Sequence, residues 1–219
     1  MENIYLYYSQ VINERAKAIL EFCFIKTQLE QWFQKSEKFD KILMSNFMTD
    51  YMKAIKNEYD SWSSNPEECV ALIMLLDQLS RNFFRNSSKA YDQDAKCISI
   101  VRNAISKRFL EKLSNDKIHF LLLPLIHSED MDDHILGHKL VDQYLNKHIE
   151  FDNIKKAWNY HTVAIKKFGR YPHRNKILKR ESTIEEIDFL KQPAQDDFAN
   201  NQYFEQNNEF QINFKYRLN

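Results

Sequence analysis

Val70-Ala-Leu-Ile-Met-Leu-Leu76 runs directly into Asp77-Gln-Leu-Ser-Arg81-Asn-Phe-Phe-Arg85. The first seven residues are apolar on every side of a helix, which predicts a central helix that is buried all round. Asp77, Arg81 and Arg85 then recur at four-residue steps and continue one face of that helix. Charged side chains on a buried face need partners, because burying an unpaired charge is costly. The stretch therefore predicts either an ion-pair network or the polar floor of a pocket.

Apolar residues recur at three- and four-residue steps along most of the chain before Lys191, as is typical of amphipathic helices. The periodicity predicts helices over about 11–24, 38–59, 66–84, 89–109 and 116–124, from 128 onward, over 153–168 and from 182 onward. Asn65 followed by Pro66 is a strong start signal, and Gly169 is a natural stop. We therefore predict an all-α fold of seven or eight helices packed as antiparallel hairpins.

Several helix ends are predicted from single residues. Ser9 and Ser128 are candidate N-caps, because their hydroxyls can accept from the first free amides. Pro124 is expected to end its helix, since proline lacks the N–H that a helix interior needs. Ser182 with Glu185 matches the spacing of a capping box and predicts the start of the last helix.

The composition restricts both fold and function. With 2 glycines and 4 prolines among 219 residues, the chain lacks the tight turns that Rossmann folds, P-loops and barrels need. Lys plus Arg and Asp plus Glu are 31 each, so the zero net charge gives no electrostatic case for nucleic acid or a membrane surface. Cys23, Cys69 and Cys97 are widely spaced and predict no disulfide framework. With no signal peptide or membrane span recognised, we expect a cytoplasmic protein.

The last 28 residues differ from the rest, because eleven of them are Asn or Gln. Phe210, Ile212, Phe214, Tyr216 and Leu218 alternate there with polar residues, which is the period of an extended segment. We expect residues 1–191 to form a single helical domain. Residues 192–219 would be a tail that is either mobile or docked as an extended segment in a groove.

Two further polar clusters could face the charged ladder. Leu123-Pro-Leu-Ile-His127-Ser-Glu129-Asp130 places a histidine just before a helix start, with carboxylates just inside it. His161 shares a helix face with apolar residues, and Phe168-Gly-Arg170-Tyr-Pro-His173-Arg174-Asn175 follows as a stiff loop. Guanidinium groups and helix N-termini both favour anions. Caps, packing histidines and a basic surface loop would explain the same residues without a ligand.

These three stretches, ALIMLLDQLSRNFFR (71–85), LPLIHSED (123–130) and KKFGRYPHRNKILKR (166–180), resemble the motifs of the bacterial DUF924 family. The resemblance covers about residues 16–190 and implies an all-helical fold similar to tetratricopeptide-like helix hairpins. The family has no assigned reaction, so the resemblance implies no activity. The family's Leu-Gly-Arg near the end of the third motif reads Leu178-Lys179-Arg180 here. The polar motif residues carry over onto Asp77, Gln78, Arg81, Asn82, Arg85, Asp94, His127, Glu129, Asp130, His161, Arg170, His173, Arg174, Asn175 and Arg180.

Together the clusters predict one polar cleft built from residues distant in sequence. Its predicted lining is Asp77, Arg81, Asn82, Arg85, Asp94, His127, Glu129, His161, Arg170, His173, Arg174 and Asn175. The first hypothesis is that this cleft binds a small anionic ligand or a peptide carboxylate, since planar guanidinium donors suit such groups. The second is a structural or protein-interaction scaffold in which the polar residues form a buried ion-pair network.

The third hypothesis is a metal-free hydrolase or lyase that uses a histidine as general base. The candidates for the base are His127 and His161, and the carboxylate that orients it would be Glu129 or Asp77. The candidates for the group that stabilises an anion are Arg170 and Arg174. This hypothesis requires a histidine nitrogen within hydrogen-bond reach of a carboxylate and open to a cavity.

A metal site is not expected, although Asp130, His134 and His138 stand at four-residue steps. The sequence contains no HExxH motif, and no third histidine is placed near them. We accordingly expect no cofactor, no nucleic acid and no membrane as partners, and the sequence leaves the oligomeric state open.

Overall fold

The computed structural model describes residues 12–28, 31–32 and 35–191, and the regular structure of this part is entirely helical. Eight α-helices occur in these ranges: α1 (Glu14–Glu21), α2 (Glu37–Ile55), α3 (Pro66–Ile73, continued through Met74–Leu79 and Ser80–Phe83), α4 (Asp94–Ser106), α5 (Asn115–His127), α6 (Met131–Tyr144), α7 (Phe151–Phe168) and α8 (Ile184–Leu190). The all-α prediction is confirmed. The predicted tail, residues 192–219, lies outside the described residues.

Helix α3 is the centre of the fold, as its apolar sequence predicts. Every residue from Cys69 to Leu79 is buried, and α1, α2, α4 and α5 all pack against this helix. Asn65 caps its start by accepting from the amides of Glu67 and Glu68 at 2.9 and 3.3 Å. The middle turn, Met74–Leu79, is π-helical rather than α-helical, which the periodicity did not predict. Such turns are rare and frequently lie at functional sites.

The later helices follow one another as packed neighbours. Helix α4 packs on α5, α5 on α6, and α6 on α7, in the manner of successive helical hairpins. Only three residues separate α5 from α6, so the chain reverses direction tightly beside His127. None of the described helices combines the length and the hydropathy that a membrane span requires.

Several predicted helix limits differ from those in the structure. Helix α4 begins at Asp94 rather than near Lys89, because Ser88–Ala90 form a separate 3₁₀ turn. Helix α2 ends at Ile55, since Asn57 takes a left-handed conformation with φ of 67°. Helix α1 is capped by Asn13, whereas the predicted cap Ser9 lies outside the described residues.

Helix α5 continues through Pro124 to His127, against the prediction that proline would end it. A proline inside a helix costs about 3 kcal/mol. The neighbouring apolar residues, 121–123 and 125–126, are all buried, with at most 6% of each exposed. Burying one leucine side chain contributes about 1.5–3 kcal/mol, so packing on both sides of the proline outweighs its cost.

The caps of α6 and α8 are displaced from the predicted residues. Asp130, not Ser128, caps α6 by accepting from the Asp132 amide at 2.9 Å. At α8 the capping box joins Thr183 and Glu186, one residue beyond the predicted pair. The Glu186 side chain is held there by the guanidinium of Arg170, which the capping-box spacing alone does not reveal.

We predict that Gly137→Ala destabilises the fold, because a Cβ at this position of α6 would lie 2.1 Å from Cζ3 of Trp158. Trp158 is 1% exposed and has no room to withdraw, so overpacking should cost about 1–3 kcal/mol in urea unfolding. In a Trp158→Phe background the cost should shrink, because phenylalanine lacks the nearest ring atoms. An equal cost in both backgrounds would show that the contact is not the cause.

Candidate functional site

Asp77 lies in the π-helical turn of α3, and its side chain is completely buried. Its Oδ1 is 2.9 Å from Nη1 of Arg81 and 2.9 Å from Nδ1 of His127, and Oδ2 accepts from the Gln78 amide. Burial alone would raise the pKa of Asp77, but the charge of Arg81 and the bond to His127 lower it to about 2. The side chain is therefore a carboxylate at neutral pH.

His127 is the last residue of α5 and lies between this buried carboxylate and solvent. Its side chain is 16% exposed, and Nδ1 donates to Asp77. Burial and the nearby Arg81 lower the pKa of His127 below its usual value, so the imidazole is neutral at pH 7. With the proton on Nδ1, the other ring nitrogen, Nε2, carries a lone pair. Among the described residues Nε2 has no hydrogen-bond partner.

The loop after α7 fixes the backbone of His127. The Tyr171 hydroxyl donates to the carbonyl of Ile126, and Nη2 of Arg174 donates to the carbonyl of His127 at 2.9 Å. These carbonyls are among those that a helix leaves unpaired at its C-terminus. Burial raises the pKa of Tyr171, so its hydroxyl remains a donor over the whole neutral range. The end of α5 is thus held by side chains from a segment more than forty residues later in the sequence.

Arg174 links this loop to α4. Its guanidinium lies between the rings of Tyr91 and Tyr171, 4.5 and 4.6 Å from their centroids. Nη1 is 3.4 Å from Asp94, which also accepts from Nη2 of Arg81 at 3.0 and 3.1 Å. Only 8% of the Arg174 side chain is exposed, and its Nε has no partner among the described residues.

A shallow, solvent-open cleft of about 350 Å³ adjoins these groups. Its lining consists of Ser88, Tyr91, Asp92, Asp94, Ala95, His127, Glu129, Arg174 and Leu178. Glu129 is held by Arg180 at 2.6 and 2.9 Å and by the Tyr171 amide at 2.8 Å. Burial acts to raise the pKa of Glu129, but these hydrogen bonds lower it below its usual value. Lys179, the residue before Arg180, adopts a left-handed conformation with φ of 55°. The family has glycine at this position.

Half of the predicted site residues meet at this cleft. Asp94, His127, Glu129 and Arg174 line it, and Asp77 and Arg81 lie directly beneath. His161 and His173 pack around Tyr171, with ring centroids 6.2 and 5.3 Å from that of the tyrosine. Nδ1 of His161 donates to the carbonyl of Ala157 at 2.9 Å, so it faces a helix carbonyl rather than a carboxylate. Burial lowers the pKa of His161 to about 3 and that of His173 well below its usual value.

The remaining predicted residues contact other partners. Asn82 and Arg85 both bind Asp40 on α2, at 2.8 Å for the amide and 2.5 Å for the guanidinium Nε. The two arginines of the ladder therefore have different partners: Arg81 contacts Asp77 and Asp94, and Arg85 contacts Asp40. Arg170 and Asn175 both bind Glu186 at the start of α8, at 2.6 and 3.1 Å.

Several residues of the site were not predicted. Tyr91 and Tyr171, whose rings enclose Arg174, are absent from the predicted lining, because an aromatic side chain most often packs in the core. Ser88 and Asp92 line the cleft without belonging to any recognised motif. Asp40 carried a usable signal, since it is a carboxylate among the mostly apolar buried residues of α2, which also include Asp50.

In the part of the chain that the structure describes, no three His, Cys, Asp or Glu side chains converge in a way that could hold a metal. The helical trio singled out in the sequence has other partners. His134 and His138 both contact the hydroxyl of Thr162 at 2.9 Å, and Asp130 caps α6.

Comparison with known proteins gives two matches. A sequence model of DUF924, described as a bacterial protein of unknown function, matches residues 19–194. A solved structure of a protein of unknown function from Agrobacterium tumefaciens is similar, with 31% identity and a TM-score of 0.73. That match covers 81% of this chain and 97% of the other. No curated protein matches.

We predict that neutral buried histidines make the stability fall in acid. The pKa of His161 is about 3 in the folded chain against 6.5 ordinarily, so between these values only the unfolded state binds the proton. The free energy of unfolding should then decrease with falling pH by about 1.4 kcal/mol per unit for one histidine. His161→Phe should reduce the slope measured by urea unfolding between about pH 6.5 and 4 by this amount.

The matched control is Lys156→Gln, an exposed substitution on the same helix at a residue type that does not titrate in this range. It should leave the slope as in the wild type. Equal slopes in the two variants would contradict the assignment of His161 as a buried neutral group.

Proposed function

This chain belongs to the DUF924 family, and because that family is described only as of unknown function, we propose a function from the site itself. The proposal is a hydrolase or lyase in which His127 is the general base and Asp77 orients it. One observation carries it: Nδ1 of His127 is 2.9 Å from the buried Asp77 carboxylate, whereas the ring lines a cleft and Nε2 is unpaired among the described residues. We further propose a cytoplasmic location, to which three buried thiols are suited.

The pairing of the arginines argues against an anion-binding module. Such a module needs guanidinium donors that are free to receive a carboxylate or phosphate. Arg81 and Arg174 already bind Asp94, and Arg180 binds Glu129 in a two-bond contact. Their positive charge is therefore compensated within the protein, and an anion entering the cleft would have to displace a carboxylate.

A purely structural network is less well supported for a different reason. That hypothesis requires the polar residues to pair only with one another, away from any cavity. Most of them do, but His127 presents a neutral imidazole nitrogen to a solvent-open cleft. A histidine that served only to satisfy Asp77 would not need to lie there.

The chemistry follows from the tautomer. The Asp77 carboxylate keeps the proton on Nδ1 and stabilises the imidazolium that forms when Nε2 accepts a second proton. The proton would come from a water or from the substrate, since none of the described residues beside the base is an activated nucleophile. Cys97, the thiol near this network, is fully buried, and burial raises its pKa well above the usual value.

We predict a turnover that depends on His127 in a screen of chromogenic esters, amides, lactones and phosphate esters. The base is active when neutral, so kcat/KM should rise with pH through a pKa below 6.5 and then stay level. His127→Gln should lower kcat by about 10²–10⁴-fold, the usual contribution of a general base. His138→Gln, a histidine that contacts Thr162 outside the cleft, should keep the wild-type rate.

A direct measurement of the tautomer makes the test independent of the substrate. Nitrogen-15 NMR of the histidine rings should show His127 protonated on Nδ1 at neutral pH, and Asp77→Asn should abolish this preference. A His127 that carries its proton on Nε2, or a His127→Gln variant with the wild-type rate, would overturn the proposal.

A further inference from the structure

The charged side chains around the cleft carry one negative charge in excess. Four carboxylates line the cleft or lie beneath it: Asp77, Asp92, Asp94 and Glu129. Three guanidinium groups contact them, those of Arg81, Arg174 and Arg180. His127 is neutral at pH 7, so four negative groups against three positive ones leave one negative charge.

Asp92 is the carboxylate that lacks a counterion. Asp77, Asp94 and Glu129 each contact at least one arginine within 3.0 Å. Asp92 is exposed at the mouth of the cleft, and it makes no ion pair or hydrogen bond with any described residue. The nearby Lys89 does not supply the charge, since its ammonium lies over the ring of Phe84, 5.9 Å from the centroid.

Arg174 gives a second indication that the cleft receives a ligand. Its side chain is more than nine-tenths buried and lines the cleft, yet Nε has no acceptor among the described residues. A buried donor left without a partner destabilises the folded state, and an acceptor atom of a bound molecule beside Arg174 would relieve this cost. The hydroxyls of Ser88 and Tyr91 complete the polar lining and suit neutral polar groups.

We infer that the cleft takes a small substrate that carries a protonated amine, recognised by Asp92, together with an acceptor oxygen placed towards Arg174. Amino-acid amides and esters are the simplest molecules with this combination. The inference rests on the proposed function only for the chemistry at His127, because recognition of the amine by Asp92 is a separate step. It departs from the sequence-based expectation of an anionic ligand, since the arginines that motivated that expectation are paired.

The test compares small probes that differ in charge. The full chain is titrated with glycinamide, acetamide and succinate, and binding is followed by the NMR signals of the His127 ring. Glycinamide and acetamide differ by one ammonium group, so acetamide should bind at least about threefold more weakly, as expected of an ion pair near the surface. Added salt should narrow this difference, and succinate should bind more weakly than either amide.

Asp92→Asn should reduce glycinamide affinity by about threefold or more, to the level of acetamide. Asp152→Asn, which removes another exposed carboxylate, at the start of α7, should leave glycinamide affinity unchanged. The inference is overturned if succinate shifts the His127 signals at lower concentration than glycinamide, if Asp92→Asn binds glycinamide like the wild type, or if no probe binds.

The two proposals fail in different ways. If His127→Gln keeps the wild-type turnover while glycinamide still binds through Asp92, the general base is wrong and the inference stands. If His127→Gln abolishes turnover while Asp92→Asn leaves KM unchanged, the base stands and amine recognition is wrong.

Discussion

The buried carboxylate of Asp77 is the constraint on which the rest of the arrangement depends. It lies on a helix that is otherwise apolar at its centre, and its side chain is completely shielded from water. A carboxylate in such a place is tolerated only with close partners, since an uncompensated buried charge destabilises a protein by about 3–5 kcal/mol. The partners come from the next turn of α3, through Arg81, and from the end of α5, through His127. This one side chain thereby links the two helices, which also pack through apolar residues.

The contacts of Asp77 belong to a closed ring of polar interactions. Arg81 binds Asp94 on α4, Asp94 contacts Arg174, and Arg174 donates to the carbonyl of His127. The ring of His127 closes the circuit on Asp77. Four segments that are distant in the sequence are joined through a closed series of ion pairs and hydrogen bonds. His127 is thus held at two points, its ring by Asp77 and its backbone carbonyl by Arg174. Such preorganisation is what a catalytic group requires.

The sequence predicts the elements of this fold better than their contacts. Helical periodicity, the Asn65 cap and Gly169 depend on local interactions, and the structure agrees with each. The contact between Asp77 and Arg81 follows from their four-residue spacing. Spacing cannot show that Arg85 binds Asp40, because the partner lies on another helix and a π-helical turn precedes it. Pro124 fails as a stop for a related reason, since tertiary packing around it outweighs a local preference.

Arginine-rich motifs are an ambiguous signal of anion binding, and this site shows the physical reason. A guanidinium group can serve a ligand or a carboxylate of the same protein, and the residue type does not distinguish the two. The structure shows that these arginines pair with carboxylates of the same chain and link its helices. Among the described residues the pairing leaves Nε2 of His127, the carboxylate of Asp92 and Nε of Arg174 without a partner, and these are the groups that we propose to act on another molecule. A neutral base and a carboxylate that has no counterion in the described part of the chain lie at the same cleft. Both favour a substrate with N–H or O–H donors over an anion.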